Sequence, residues 1–149
     1  MIKIDVIVSD EVAGLFPFQI PLLQKYVVKV IQTSDFSECD INIVFIDDKT
    51  MSELNEKYKG TPGSTDVLSF SLSEEDSDVL EGEVYVSLQS AKEQSLGYDI
   101  PFEEEIVRLV THGLLHLTGR VHDTEENYKS MTEDTEDHVK SFFADGDQL

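Results

Sequence analysis

Residues 101–122 read PFEEEIVRLVTHGLLHLTGRVH, and the rest of the chain is best read outward from this stretch. Pro101 opens a segment in which Ile106, Val107, Leu109, Val110, Leu114 and Leu117 recur at the spacing of one helix face, and the pattern predicts a helix that Gly119 breaks. His112 and His116 are four residues apart on it, so both imidazoles leave the same face and can converge on one ion. Gly119 permits a sharp turn, through positive φ, that folds His122 back as a third ligand. Three neutral imidazoles leave a position open for water, the arrangement of a catalytic zinc site and not of a closed structural one. The spacing is that of the metzincin zinc motif, in which a Glu directly after the first His is the general base. Gly113 occupies that position here. A glycine cannot take a proton from attacking water, so peptide cleavage of that kind is disfavoured. His138 lies apart from this group, beside Asp134, Glu136 and Asp137, and reads as a surface residue whose proton affinity the carboxylates raise.

Upstream, Ile2, Ile4, Val6 and Val8 alternate with Lys3 and Asp5, the period of a half-buried strand. Pro21 suits a first helical position, and Leu22, Leu23, Tyr26, Val27, Val30 and Ile31 form an apolar helix face that stops at residues 33–35. Residues 41–46 predict a second strand, covered on both faces. Asp48 or Thr50 can cap a helix carrying Met51, Leu54 and Tyr58, which Gly60 ends. Strands are expected at 66–72 and 83–88, joined by an acidic surface loop over 73–81. A helix from about residue 87 or 88 to 96 ends at Gly97. Asp123 with Glu126 forms a capping box before a last helix bearing Tyr128, Met131, Val139, Phe142 and Phe143, and the tail after Ala144 frays. Neither a repeat nor a composition shift marks a second domain, so residues 1–149 are expected to form one.

The 149 residues carry 11 Lys and Arg against 31 Asp and Glu, a formal charge of −20 and a pI near 4.2. That balance excludes a broadly basic polyanion-binding domain, but not an RNA gripped locally. The acids concentrate at Glu74, Glu75, Asp76, Asp78, Glu81 and Glu83 and again between Glu125 and Asp137, whereas Lys57, Lys59, Arg108 and Arg120 flank the candidate site. The expected field is uneven, with cations near the site and weak, salt-dependent RNA affinity. Cys39 is the one cysteine, so no intramolecular disulfide forms and a small buried residue is expected. The charged N-terminus does not read as a signal peptide, and no uncharged apolar run approaches the roughly 20 residues that span a bilayer. A cytoplasmic protein with no membrane partner is expected.

Two blocks and a connector resemble the YbeY endoribonuclease and rRNA maturation family of bacteria. The first block is residues 54–59, LNEKYK, followed by 65–70, TDVLSF; the second is HGLLHLTGRVH at 112–122, with Met131 and Glu136 beyond it. Between them, Gly82 to Ser87 with Ala91 and Gln94 is similar to the family's strand and following helix. The resemblance covers about residues 40–143. It implies an α+β fold, a small mixed four-stranded sheet packed with about five helices, with a zincin-like site on a helix and the following turn. It further implies a single-strand-specific, zinc-dependent endoribonuclease of 16S rRNA 3′-end maturation and 70S ribosome quality control. One Zn²⁺ would be held by His112, His116, His122 and a water. The family's functional arginine falls on Lys59, which keeps the charge but not the planar, bidentate fit to phosphate. Thr61, Pro62 and Ser64 replace residues that are usually Lys, Asp and Pro, and Arg120-Val121 replace the usual Tyr-Asp. Lys59 or Arg120 would balance charge on the phosphorane. The implied partners are rRNA in the 30S particle and a ribosomal protein or GTPase, with no DNA. Two alternatives stand beside this reading: a non-catalytic, zinc-stabilised assembly factor, and a degenerate zincin-type hydrolase.

Overall fold

The computed structural model describes residues 1–60, 63, 65–120 and 123–144. Four strands, β1 (Ile2–Val8), β2 (Glu38–Ile46), β3 (Val67–Ser71) and β4 (Val79–Ser87), form one mixed sheet in the order β1-β2-β4-β3. β1 and β4 both run parallel to β2, and β3 is antiparallel to β4. Parallel neighbours need a long crossover. α1 (Ile20–Gln32) supplies the first, and α2 (Asp48–Lys59) with β3 the second. α3 (Leu88–Tyr98), α4 (Phe102–Leu117) and α5 (Glu125–Ala144) complete the expected α+β fold. A 3₁₀ turn at Asp10–Val12 was not foreseen, because three residues carry no periodicity. Among the described residues no helix is long and apolar enough to cross a membrane.

The faces of the sheet are covered unequally. Cys39, Ile41, Ile43 and Phe45 of β2 are fully buried in the main core with α1, α4 and α5. Their alternates Asp40, Asn42 and Val44 are only half-buried. A smaller cluster of Ile46, Met51 and Leu68 under α2 covers one end of that second face, so the expectation of full cover on both faces is only partly met. β4 begins at Val79 and not at residue 83, with Leu80 fully buried. The sequence around it is so acidic that its strand character is masked. The preceding loop is pinned by Ser73, whose hydroxyl accepts from the Glu81 amide at 2.8 Å.

Three helix ends also differ from expectation. Asp47, and not Asp48 or Thr50, caps α2 by accepting from the Thr50 amide at 3.0 Å. Asp48 instead accepts from the hydroxyls of Ser87 and Ser90, tying α2 to the start of α3. α3 runs past Gly97 to a left-handed Asp99 at φ 55°. Before α5, the Asn127 amide donates to Thr124 Oγ1 at 3.0 Å, while Asp123 accepts from the Asn127 side chain. Thr124 therefore takes the capping role assigned to Asp123. α4 ends as expected at Gly119, where φ is 97°. The Gly119 and Arg120 amides donate back to the carbonyls of His116 and Leu115, the paired bonds of a Schellman turn.

α4 packs on β3, β4, α1, α3 and α5. α5 is clamped to it by Arg108, which donates twice to Glu136 at 2.7 and 2.8 Å and also to Glu104 and Glu105. Burial raises the pKa of Glu105, which is 4% exposed, while the Arg108 hydrogen bond holds Glu136 below the ordinary glutamate value. Glu136 therefore stabilises the fold at any pH above its unfolded pKa, and this contribution is lost as pH falls through the lowered folded value. The urea midpoint of Glu136→Gln should lie below that of the wild type at neutral pH and converge on it as the solution is acidified through that window.

Candidate metal centre

One turn of α4 builds the centre. His112 and His116 project from the same side of the helix, as four-residue spacing requires, and their Nε2 atoms approach to 3.1 Å. Two neutral imidazoles at that distance share one N–H, the second ring accepting through its lone pair. The separation also suits a common ion: a tetrahedral centre with Zn–N bonds near 2.0–2.1 Å places two ligand nitrogens about 3.3 Å apart. The pair therefore fits a first-row metal. His122, the expected third ligand, lies outside the described residues, as do Thr61, Pro62, Ser64 and Val121.

The imidazoles open into a cleft of about 400 Å³ bounded also by Lys59, Thr65, Asp66, Val67, Ser69, Ser71 and Leu117. Lys59 reaches it from the last turn of α2. The fold thus unites the two histidines with a cation that lies 53 residues before the first of them in the chain. Asp66 is the one carboxylate lining the cleft among the described residues, and it accepts from Gln94 Nε2 at 3.1 Å and from the Thr65 hydroxyl at 3.4 Å. Asn55, 7% exposed, donates to the Gly63 carbonyl at 3.0 Å and ties the segment after Lys59 to α2.

Arg120 does not join this cleft. It donates to Asp134 at 2.6 Å and to Ser130, and lines a separate cleft of about 560 Å³ between α4 and α5. Of the two cations expected as alternatives for balancing charge, Lys59 lines the histidine cleft and Arg120 lines the other one. Arg108 is likewise held by carboxylates and lines no part of this cleft, so of the cations expected near the site Lys59, from α2, lines it and the two arginines do not. His138 is half-buried in the second cleft, and burial pushes its pKa down against the opposing pull of Asp134 and Asp137. That corrects its assignment as a surface group with raised proton affinity; the sequence shows the nearby acids but not the packing.

Ser69 was missed by sequence reasoning. Its hydroxyl donates to the Gly113 carbonyl at 2.9 Å, anchoring β3 to the histidine turn. The available signal was the alternation of Val67, Ser69 and Ser71, which puts all three on one face of the strand. Gly113 itself is a packing position. A Cβ there would stand 2.5 Å from Val84 Cγ1 and 3.1 Å from Ser69 Oγ, so the residue that would be Glu in a metzincin is buried against the sheet.

Residues 17–143 match the model of a family described as endoribonuclease YbeY. The endoribonuclease YbeY of Clostridioides difficile is 38% identical over 128 residues, covering 79% of this chain and 83% of the relative. That of Persephonella marina is 32% identical over 129 residues, covering 82% and 84%. A solution structure of a protein from Thermotoga maritima superposes with a TM-score of 0.69 at 26% identity, covering 96% of this chain and 91% of that one. The match begins at residue 17, well before residue 40, from which the sequence resemblance was expected to run, and takes in α1.

Because overpacking a core costs about 1–3 kcal/mol, Gly113→Ala should lower the stability of the chain by that amount in urea titrations. Gly113→Glu should unfold it outright and create no peptidase.

Proposed function

We propose, on the premise that the chain belongs to the endoribonuclease YbeY family, that it is a zinc-dependent endoribonuclease cutting single-stranded RNA in 16S rRNA 3′-end maturation and in 70S ribosome quality control. The observation that carries this reading is the convergence of the His112 and His116 Nε2 atoms in a cleft that also receives Lys59. His112, His116 and His122 would hold the ion. When bound, zinc supplies a Lewis acid for a phosphate oxygen and brings the pKa of water toward neutrality.

The chain's own groups supply the rest. Lys59 places a positive charge where a phosphodiester enters and offsets the charge that builds on it during cleavage, acting as a point charge and not a bidentate clamp. The Thr65 and Ser71 hydroxyls line the same wall and suit a ribose or phosphate oxygen. Gly113 offers no base, so the attacking group is a water or the RNA's own 2′-hydroxyl, and its proton passes to solvent while the leaving oxygen is protonated from solvent. The fold's overall charge of −20 opposes RNA; delivery therefore falls to a ribosomal partner on the 30S particle, a ribosomal protein or a GTPase, in the cytoplasm.

Elemental analysis of purified protein should find one zinc per chain, and His116→Ala should lose both the metal and RNA cleavage. Lys59→Ala should keep the metal and lose about a hundredfold in cleavage rate, the scale of one transition-state charge donor. Retention of zinc and cleavage by His116→Ala would overturn the site. Full cleavage by Lys59→Ala would remove that residue from the mechanism.

A further inference from the structure

The other side of the edge strand β3 carries a set of rings that the cleft chemistry does not use. Tyr58, in the last turn of α2, is 57% exposed. Its ring meets Phe70 of β3 edge-on at 5.1 Å between centroids, and Phe70 meets Tyr85 of β4 at 5.7 Å. Phe70 and Tyr85 are half-buried, so they hold the Tyr58 ring against the sheet while most of it faces solvent. Lys57 Nζ stands 5.3 Å from the Tyr58 centroid, and the next residue along, Lys59, lines the histidine cleft. An exposed tyrosine alone is ordinary. A ring fixed in place, with one lysine over it and the next residue but one in the histidine cleft, is a more particular arrangement in a chain with only 11 Lys and Arg.

We propose that Tyr58, with Lys57 beside it, is a stacking platform for a base of single-stranded RNA whose phosphates pass Lys57 and Lys59 on the way into the cleft. The proposal rests on the endoribonuclease reading and names the strand's route to that site. Unpaired bases present open faces to aromatic side chains, and a duplex does not. The charges around the rings fix the direction of approach. Glu83 accepts from the Tyr85 hydroxyl and the Asn42 amide, so the far end of the ring series repels a phosphate. Glu53 and Glu56 confine the positive character of α2 to its last turn. The Tyr58 end is therefore where a base and its phosphate can be received together, and a platform there selects single strands by the geometry of stacking.

The test uses the full zinc-loaded chain and a fluorescein-labelled 2′-O-methyl hexauridylate, verified intact on a denaturing gel after each reading, with binding read by anisotropy at low salt. Tyr58→Leu, which keeps apolar contact with Phe70, should weaken binding about tenfold, and Tyr58→Phe should stay within about twofold of the wild type. A hexamer with abasic positions should bind the wild type and Tyr58→Leu equally. Lys57→Gln, a surface change that does not threaten folding, should weaken binding several-fold and make it less salt-dependent. Equal affinity of wild type, Tyr58→Leu and Lys57→Gln, with cleavage of unmodified RNA intact, overturns the platform and leaves the endoribonuclease reading standing. A wild type that neither binds nor cuts RNA overturns both.

Discussion

α4 can lie on the sheet only because Gly113 lacks a side chain. The helix comes so near β4 that a Cβ would stand 2.5 Å from Val84, and Gly82 makes the matching concession on the strand, where a Cβ would meet Leu117 at 2.7 Å. This contact fixes the rotation of the helix as well as its distance. At about 100° per residue, His112 and His116 lie on the same flank of Gly113, roughly 100° and 60° around from it. Pressing Gly113 against Val84 therefore turns both imidazoles toward the open edge of β3. Ser69 locks that orientation by donating to the Gly113 carbonyl. One small residue thus sets the packing of the central helix, the convergence of the imidazoles and the loss of the base position that a peptidase would need.

The charge distribution follows from the same central helix. Its arginine at 108 and the one just beyond its end, at 120, are each matched by acids on α5, Glu136 and Asp134. Part of the acidity of the last helix is thus an internal counter-charge that holds α5 against α4, and the −20 of the chain is not simply a solvated surface. The end of α2 brings Lys59 into the histidine cleft. Burial governs the titratable groups further in. It raises Glu105, pushes the Tyr26 hydroxyl up to about 12 beside Thr111, and lowers His138. None of these directions is visible from neighbours in the sequence alone, because each depends on what packs above the group.

Apolar periodicity, β-branched composition and Gly or Pro boundaries together located the strands and α-helices of the described residues, since an apolar face must repeat at 2 or 3.6 residues to reach a core. Where periodicity misplaced an end, composition had hidden the pattern. Val79 and Leu80 belong to β4 but sit in the most acidic run of the chain. Caps were read one residue off for a related reason: Asp47 and Asp48 are equally capable by type, and only the direction of the entering backbone separates the residue that caps α2 from the one that bonds Ser87 and Ser90.

For the site, the sequence by itself determined that two histidines converge. A spacing of four on a helix forces His112 and His116 onto one face whatever surrounds them, and Gly119 marks the turn that ends that helix. It also singled out Lys59 through family resemblance. Only the tertiary structure decided which cation lines the histidine cleft and which line others, that Ser69 and Asp66 form its wall, and that Gly113 is a packing residue. Those outcomes depend on contacts between segments tens of residues apart. Local spacing fixes direction along one helix, but not which distant strand or helix will lie beside it.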